Sequence, residues 1–241
     1  CIGSFLNVCI YRIPAEKSIA FPGSACPNCH TAIKIYDNIP LLSYISLGGK
    51  CRQCQSPISL RYPLIECLTG ALSLGLYLKF GLSTETVVYF IFICTLIVIT
   101  FIDIDHRIIP DRITIPGIFV FFTAAFAISS LSWLDSLLGI LIGGGSLFGV
   151  AVLYHLLTHK EGMGGGDIKL LAMIGALVGW KGVFFTIFVS SAIGTLVGLS
   201  IMIATRQNLK LAVPFGPFLS IGAAAYIFIG PRLISWYFQL T

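Results

Sequence analysis

The stretch FIFICTLIVITFIDIDHRIIPD, residues 90–111, decides the fold of this chain. Residues 90–102 of it carry no charge, and residues 103–107 then bring two aspartates, a histidine and an arginine together. An apolar run of this length, without alternation of apolar and polar residues, is typical of a helix in a hydrocarbon core and not of a barrel strand. The stretch therefore predicts a transmembrane helix that ends in ionisable groups at one surface of the membrane.

The rest of the chain has the same apolar character. Of its 241 residues, 56% are hydrophobic and 10% are charged, whereas a soluble domain has about 25% charged residues. We expect seven spans at about 64–82, 86–102, 113–131, 136–157, 168–180, 182–205 and 213–231. Residues 1–10 are interpreted as the end of a truncated first span, which makes about eight transmembrane helices in an all-α polytopic membrane protein.

The basic residues indicate how the spans are oriented. If the first span ends inside, twelve of the fifteen basic residues lie in inner loops and three lie outside, which satisfies the positive-inside rule. The inner set is Arg12, Lys17, Lys34, Lys50, Arg52, Arg61, Arg107, Arg112, Lys160, Lys169, Arg206 and Lys210, and the outer set is Lys79, Lys181 and Arg232. Because the inner residues are spread over four loops, we expect contacts with membrane lipids and no nucleic-acid partner.

Two CxxC pairs mark the polar segment of residues 11–63. Cys26-Pro-Asn-Cys29 and Cys51-Arg-Gln-Cys54 are separated by 21 residues, a spacing typical of a four-thiolate zinc site. A closed shell of four sulfurs leaves no position for water, so we expect a structural Zn²⁺ that folds a small cytoplasmic zinc ribbon. Two disulfides or a redox-active CxxC are the alternatives, and a reducing cytoplasmic location disfavours both.

Carboxyl groups beside the spans are the candidate catalytic residues. An ionisable group at membrane depth is costly, so Asp103, Asp105 and Asp167 are functional candidates. The structural alternatives are an ion pair of Asp103 with Arg107, a solvated helix end for Asp105 or Asp111, and a helix N-cap for Asp167. An N-cap explains the aspartate but not the three glycines that precede it, which would permit a close substrate approach.

Two aspartates from different spans could meet at the cytoplasmic end of the membrane. Hydrolysis of a peptide bond by such a pair needs one ionised carboxylate to activate water and one protonated carboxyl to polarise the carbonyl. Like charges at close range would drive the two groups into these states, and they would titrate as a unit. The carboxyls therefore predict an aspartate-based protease.

Six segments resemble the type IV prepilin peptidase family, in the order of that family. They are GSFLNVCIYRIP at 3–14, the double CxxC, RYPLIECLTG at 61–70, DIDHRIIPD at 103–111, GMGGGDIKL at 162–170 and PFGPFLSIG at 214–222. The resemblance implies that Asp103 and Asp167 are the catalytic pair. Asp103 is preferred over Asp105 because it lies seven residues before Pro110, as the family pattern requires. The two residues are about 200° apart on a helix, so only one should face Asp167.

The resemblance also implies a substrate and a second activity. The substrate would be a type IV prepilin or pseudopilin precursor with a short basic leader, cut at the cytoplasmic face of a bacterial inner membrane. The second activity would be transfer of a methyl group from S-adenosylmethionine to the new N-terminal amine. The chain has no glycine-rich nucleotide loop of the Rossmann kind, and Asn7, Arg12 and Glu66 are the candidates for that site, with Arg61 as a possible partner of Glu66.

These observations divide the chain into three parts. We expect residues 1–10 to end the first span, residues 11–63 to form the zinc-binding loop and part of the methyltransferase region, and residues 64–241 to form the helical peptidase domain. A proton-coupled transporter with a regulatory zinc domain, and a scaffold for a secretion machine, are the competing functions. Transport requires neither the glycines beside Asp167 nor the segment PFGPFL, and a scaffold would tolerate replacement of the aspartates.

Overall fold

The computed structural model describes residues 1–129, 131–159, 164–205 and 214–239 and is helical throughout its membrane region. The helices are α1 Ile2–Arg12, a 3₁₀ helix Ile35–Asn38, α2 Leu42–Ser46, α3 Arg61–Phe80, α4 Thr84–His106, α5 Asp111–Ala125, α6 Trp133–Thr158, α7 Gly165–Thr205 and α8 Gly216–Gln239. The basic residues Lys160, Arg206 and Lys210, used above for the orientation, lie outside the described residues.

Five of these helices are long and apolar enough to cross a membrane, within the described ranges. They are α3, α4, α6, α7 and α8. The expected count of about eight spans differs for three reasons. Helix α1 has only 11 residues and α5 only 15, and α7 is one continuous element that contains two expected spans, with Gly179 (φ 69°, ψ 177°) interrupting the helical backbone between them. Gly179 therefore divides α7 at the boundary that the sequence predicts between residues 168–180 and 182–205.

The apolar side chains divide between a core and an outer surface. The core runs along α4 and the first half of α7, where Phe92, Ile99, Leu171 and Ile174 are fully buried. Large apolar side chains also cover the outside, among them Phe119, Leu141, Phe148, Phe188 and Leu196. So much exposed apolar surface on long helices is expected where lipid is the solvent.

Helices α6 and α7 cross at small residues. A Cβ atom added at Gly143 would lie 2.6 Å from the carbonyl oxygen of Leu171, and Gly139 faces Gly175 backbone to backbone. The hydroxyl of Ser136 donates a hydrogen bond to the carbonyl of Ala176 at this crossing. Close packing at glycines, with a hydroxyl satisfied across the contact, is the usual way that membrane helices associate. It fixes the position of α7, and with it the position of Asp167.

Lys79, near the end of α3, contacts the turn of α8 in which Pro231 interrupts the helical hydrogen bonds. Pro231 has no N–H, so the carbonyl of Ile227, four residues earlier, loses its helical hydrogen bond. Lys79 donates to this carbonyl at 2.5 Å and to that of Phe228 at 2.8 Å. The ammonium thus satisfies an acceptor that has no other partner in the helix and that water would not reach in lipid.

We expect Lys79→Met to lower the free energy of unfolding by about 1–3 kcal/mol, since it leaves a half-buried carbonyl unpaired. Pro231→Ala restores the missing N–H, so the same lysine substitution should cost less in that background. The difference is measured by unfolding wild type, Lys79→Met, Pro231→Ala and the double variant in detergent. Lys181→Met is the control, because Lys181 lies over the ring of Trp180 and bonds no carbonyl of the described residues. Equal costs of Lys79→Met in both backgrounds would contradict the contact.

Candidate active site and metal centre

The four cysteines of the two CxxC pairs come together at one point. The four Sγ atoms all lie within 4.8 Å of one another. The Sγ atoms of Cys26 and Cys54 are 3.8 Å apart, and those of Cys29 and Cys51 are 4.0 Å apart. Four sulfurs on a tetrahedron around Zn²⁺, each about 2.3 Å from the ion, would be about 3.8 Å from each other. The cluster therefore has the dimensions of a four-thiolate zinc site.

The two CxxC turns have the same backbone structure. The N–H of Cys26 donates to the carbonyl of Thr31 at 3.0 Å, and the N–H of Cys51 donates to that of Ser56 at 2.9 Å. Each turn closes with a left-handed residue, His30 (φ 56°) or Gln55 (φ 58°). Each turn is thus a local structure that points its two sulfurs toward the other turn, as the sequence predicts for a pair of zinc knuckles.

The surroundings of Cys54 favour the thiolate form that binds metal. The side-chain hydroxyl of Ser56 lies 3.1 Å from the Sγ of Cys54, and this contact, with further hydrogen bonds from the Ser56 backbone and from Asn28, lowers the pKa of Cys54 to about 5. Thiolates, and not thiols, are the ligands of Zn²⁺. All eight cysteines are free, so neither CxxC pair forms a disulfide.

Asp103 lies in the last turn of α4 and is buried, with 5% of its surface exposed. Its Oδ2 accepts a hydrogen bond of 3.1 Å from the N–H of Gly216, the first residue of α8. The alternative ion pair with Arg107 does not form among the described residues. Arg107 is left-handed (φ 55°) and ends α4 by donating its backbone N–H to the carbonyl of Asp103.

Asp167 is the third residue of α7, which begins at Gly165. It is not the N-cap that the sequence suggested, because its own N–H donates to the carbonyl of Gly164 at 3.2 Å. Its Oδ1 is buried and has no hydrogen-bond partner among the residues that the structure describes. The carboxyl lies close enough to Asp103 for the two charges to interact. Two acidic groups from separate helices are thus brought together, one of them with an oxygen free to bind something else.

Asp105 lies on the other side of α4. It is exposed and forms an ion pair with Arg61, at the first residue of α3. Asp111 is likewise paired at the surface, its Oδ2 lying 2.7 Å from the Nζ of Lys169. Of the four aspartates considered from the sequence, Asp105 and Asp111 are thus held in ion pairs, whereas Asp103 and Asp167 form none among the described residues.

Ile109, Gly166 and Gly216 lie beside the carboxyl pair. Sequence reasoning gave Gly166 a role, as one of the three glycines before Asp167, but gave none to Ile109 or Gly216. A Cβ atom at Gly166 would lie 2.8 Å from the Cβ of Ile109. A Cβ atom at Gly216 would lie 2.6 Å from the Oδ2 of Asp103 and 3.2 Å from the Cδ1 of Ile109. These glycines let α7 and α8 approach the end of α4 so closely that no side chain fits between them. The segment PFGPFL, which the resemblance singles out, was the available signal for Gly216.

A cavity of about 870 Å³ opens between α1, the first turns of α3 and the loop of residues 13–60. All three candidates for the methyl-donor site, Asn7, Arg12 and Glu66, line it. The structure therefore brings together three residues that the sequence selected separately. A volume of this size is within the range of small-molecule sites.

Each of the three residues also holds part of the cavity wall. Asn7 Nδ2 donates to the carbonyls of Gly3 and Tyr62, both at 3.3 Å. Arg12 donates to the carbonyls of Ser18 at 3.0 Å and Pro22 at 2.7 Å. Glu66 Oε2 accepts a hydrogen bond of 2.9 Å from the N–H of Leu41. Glu66 is not paired with Arg61, because Arg61 is turned toward α4 instead.

Comparison with known proteins gives two family matches and many full-length relatives. The model of the bacterial peptidase A24 N-terminal domain matches residues 1–80, and that of the type IV leader peptidase family matches residues 90–199. A prepilin leader peptidase/N-methyltransferase of Aeromonas hydrophila is 35% identical, over 98% of this chain and 90% of its own length. A protein of the same name from Pseudomonas aeruginosa is 34% identical, over 100% of this chain and 91% of its own length. Another, from Burkholderia pseudomallei, is 35% identical, over 95% of this chain and 82% of its own length. No solved structure matches the chain.

Proposed function

This chain belongs to the family of prepilin leader peptidases/N-methyltransferases, and from that membership we propose that Asp103 and Asp167 are the catalytic carboxyls of its peptidase. The observation that carries the proposal is that the buried Asp103 and the half-buried Asp167 come from separate helices to one place, with the Oδ1 of Asp167 buried and without a hydrogen-bond partner among the described residues. A buried polar atom without a hydrogen bond is costly, so it is expected to bind a water or a substrate group.

The chemistry needs one proton shared between two carboxyls. The ionised carboxylate takes a proton from a water molecule, while the protonated one donates a hydrogen bond to the carbonyl of the scissile bond. The water oxygen then forms a bond to the carbonyl carbon, and the carbon–nitrogen bond breaks as the nitrogen takes up a proton. The products are the leader with a new carboxylate and a mature chain with a free N-terminal amine.

The substrate is proposed from the names of the relatives, which are prepilin leader peptidases. A type IV prepilin or pseudopilin precursor would place its hydrophobic helix along the apolar outside of the protein and its basic leader in water. The pair lies at the end of α4 and the starts of α7 and α8, which is one edge of the helical region. With the distribution of basic residues, this supports a multi-pass protein of a bacterial inner membrane that cuts at the cytoplasmic face.

We also propose that the 870 Å³ cavity takes S-adenosylmethionine. Bound there, this substrate would supply a methyl group on a positively charged sulfur. Glu66 lies in the wall with one carboxylate oxygen bonded to Leu41, and a negative charge suits a sulfonium ligand. Asn7 and Arg12 support the site differently, by holding the backbone of α3 and of residues 18–23 in the shape of the wall.

The four thiolates are proposed to hold a structural Zn²⁺. Every ligand position would be filled by sulfur, so the ion would order the loop without binding water. Residues 11–63 hold little secondary structure of their own, and metal binding would supply the folding free energy that a core does not. The proposed division of the chain into residues 1–10, 11–63 and 64–241 treats this loop as a separate domain.

Replacing Cys51 by serine should reduce zinc from about one ion per chain to near zero, because three thiolates and a hydroxyl hold Zn²⁺ poorly. The loop should also become more sensitive to proteases. Metal analysis of the purified variant and limited proteolysis test this. Cys67→Ser is the matched control, since Cys67 is exposed on α3 and stands outside the cluster. Unchanged metal content in Cys51→Ser would refute the site.

The function is tested with the purified full chain and a prepilin precursor, with and without S-adenosylmethionine. We expect a shortened product in both cases and, with the methyl donor, a further mass increase of one methyl group on its N-terminal residue. Mass spectrometry of the products identifies both changes. An intact precursor after incubation would contradict the peptidase, and a shortened but never methylated product would contradict the second activity.

A further inference from the structure

The first turn of α3 contacts the end of α4, the helix that carries Asp103, and also lines the cavity. On one side, the guanidinium of Arg61 pairs with Asp105, donates to the carbonyl of Phe101 at 3.3 Å and lies 5.0 Å from the centre of the Phe101 ring. All three contacts are with the last two turns of α4, the helix that carries Asp103.

On the other side, the residues that follow Arg61 form the cavity wall. Tyr62 lines the cavity, and its carbonyl accepts the hydrogen bond from Asn7. Glu66, one turn further along α3, lines it as well and holds Leu41. A shift of this turn would therefore move the cavity wall with respect to the end of α4.

The two proposed reactions require the carboxyl pair and the cavity to keep a fixed position relative to each other. Cleavage produces a free N-terminal amine at the carboxyl pair. In methyl transfer, the lone pair of that amine forms a bond to the methyl carbon while the carbon–sulfur bond breaks and leaves its electron pair on sulfur. The nitrogen then loses a proton to water, and S-adenosylhomocysteine remains. The product of the first site is thus the nucleophile of the second.

Resting on the function proposed above, we propose that the Arg61–Asp105 pair is a positioning contact that couples the two sites, so that a cleaved chain is methylated before it leaves. The side chains of the pair are 29% and 33% exposed, and the guanidinium makes three contacts at once. By comparison, the pair of Arg112 with Glu16, which also joins the N-terminal loop to the helical region, is 67% and 74% exposed. An isolated exposed ion pair contributes little stability, whereas a partly buried guanidinium with several partners fixes the relative position of the helices that it joins.

The test measures the methylated fraction of the cleaved product, in the full chain with prepilin and S-adenosylmethionine. Samples of wild type and Asp105→Asn are compared at equal extents of cleavage, so that a loss of folded protein does not affect the ratio. We expect the ratio of unmethylated to methylated product to rise about ten-fold or more in the variant, which corresponds to a lost coupling of about 1.4 kcal/mol. Arg61→Gln should have the same effect, and it keeps the test valid if Asp105→Asn folds poorly.

Two further variants separate coupling from stability. Asp111→Asn removes the other ion pair at this edge, between α5 and α7, and should leave the ratio unchanged. The double variant with Arg61→Asp and Asp105→Arg exchanges the two charges. It should restore part of the methylated fraction that each of these single substitutions loses. A wild-type ratio in both Asp105→Asn and Arg61→Gln, or an equal loss in Asp111→Asn, would overturn the inference. Because wild type must first cleave and methylate, failure of the proposed function would be seen separately.

Discussion

Replacing Asp103 or Asp167 by asparagine is expected to reduce prepilin cleavage by about 10³-fold or more, which is the scale of losing a general acid or base. Asparagine keeps the size of the side chain but cannot exchange a proton, so each variant should still insert and fold. The Oδ2 of Asp103 accepts from the N–H of Gly216, and an amide oxygen can accept the same bond. Cleavage of a prepilin precursor by purified variants, followed by mass spectrometry, gives the rates.

Asp111→Asn is the matched control for this result. Asp111 is also an aspartate at a helix end near the carboxyl pair, but it is exposed and bound to Lys169, so its variant should cleave at the wild-type rate. Near-normal cleavage by both Asp103→Asn and Asp167→Asn would eliminate the proposed pair. Loss of cleavage in Asp105→Asn, with Asp103→Asn still active, would show instead that the other carboxyl of α4 acts.

Adding one methyl group at Gly216 is expected to reduce cleavage by about 10²-fold, which is the scale of misplacing a reacting group by about 1 Å. The new Cβ atom would lie 2.6 Å from the Oδ2 of Asp103, so either the carboxylate or the start of α8 must move. Gly166→Ala should act in the same direction, since its Cβ atom would lie 2.8 Å from that of Ile109. The rate of prepilin cleavage at saturating substrate measures both effects.

The neighbouring glycine provides the control. A Cβ atom at Gly165 would have no heavy atom within 4 Å, and Gly165 begins α7, where alanine is a better helix former. Gly165→Ala should therefore retain wild-type cleavage. Equal activity of Gly165→Ala, Gly166→Ala and Gly216→Ala would mean that the close approach of α7 and α8 to α4 is not required.

Local features could be predicted from the sequence because they depend on neighbouring residues. A long uncharged run such as residues 90–102 fixes a membrane helix, since every backbone group must be bonded within the run. A CxxC turn likewise fixes two sulfurs through hydrogen bonds that span five residues, as in Cys26 to Thr31. The family resemblance, confirmed by the matches over residues 1–80 and 90–199, also rests on short segments in order.

Contacts between distant segments could not be predicted in this way. The pairings that spacing suggested, Asp103 with Arg107 and Arg61 with Glu66, do not form among the described residues. Asp103 instead accepts a hydrogen bond from Gly216 of α8, and Arg61 pairs with Asp105 of α4. Lys79 contacts α8 through a carbonyl that a proline left unpaired 148 positions away in the chain. Partners of this kind depend on how the helices are rotated and how closely they approach.

The sequence by itself determined that this chain is a helical membrane protein with a four-cysteine cluster, and it reduced the candidate carboxyls to a few near helix ends. The tertiary structure alone decided that Asp103 is buried against the start of α8, whereas Asp105 pairs with Arg61 at the surface. The two residues of α4 point about 200° apart, and the packing of α8 at Gly216 and of α3 at Arg61 fixes which side of α4 each carboxyl occupies. Rotation of a helix about its axis is set by the surfaces packed against it, and no pattern within the helix specifies those surfaces.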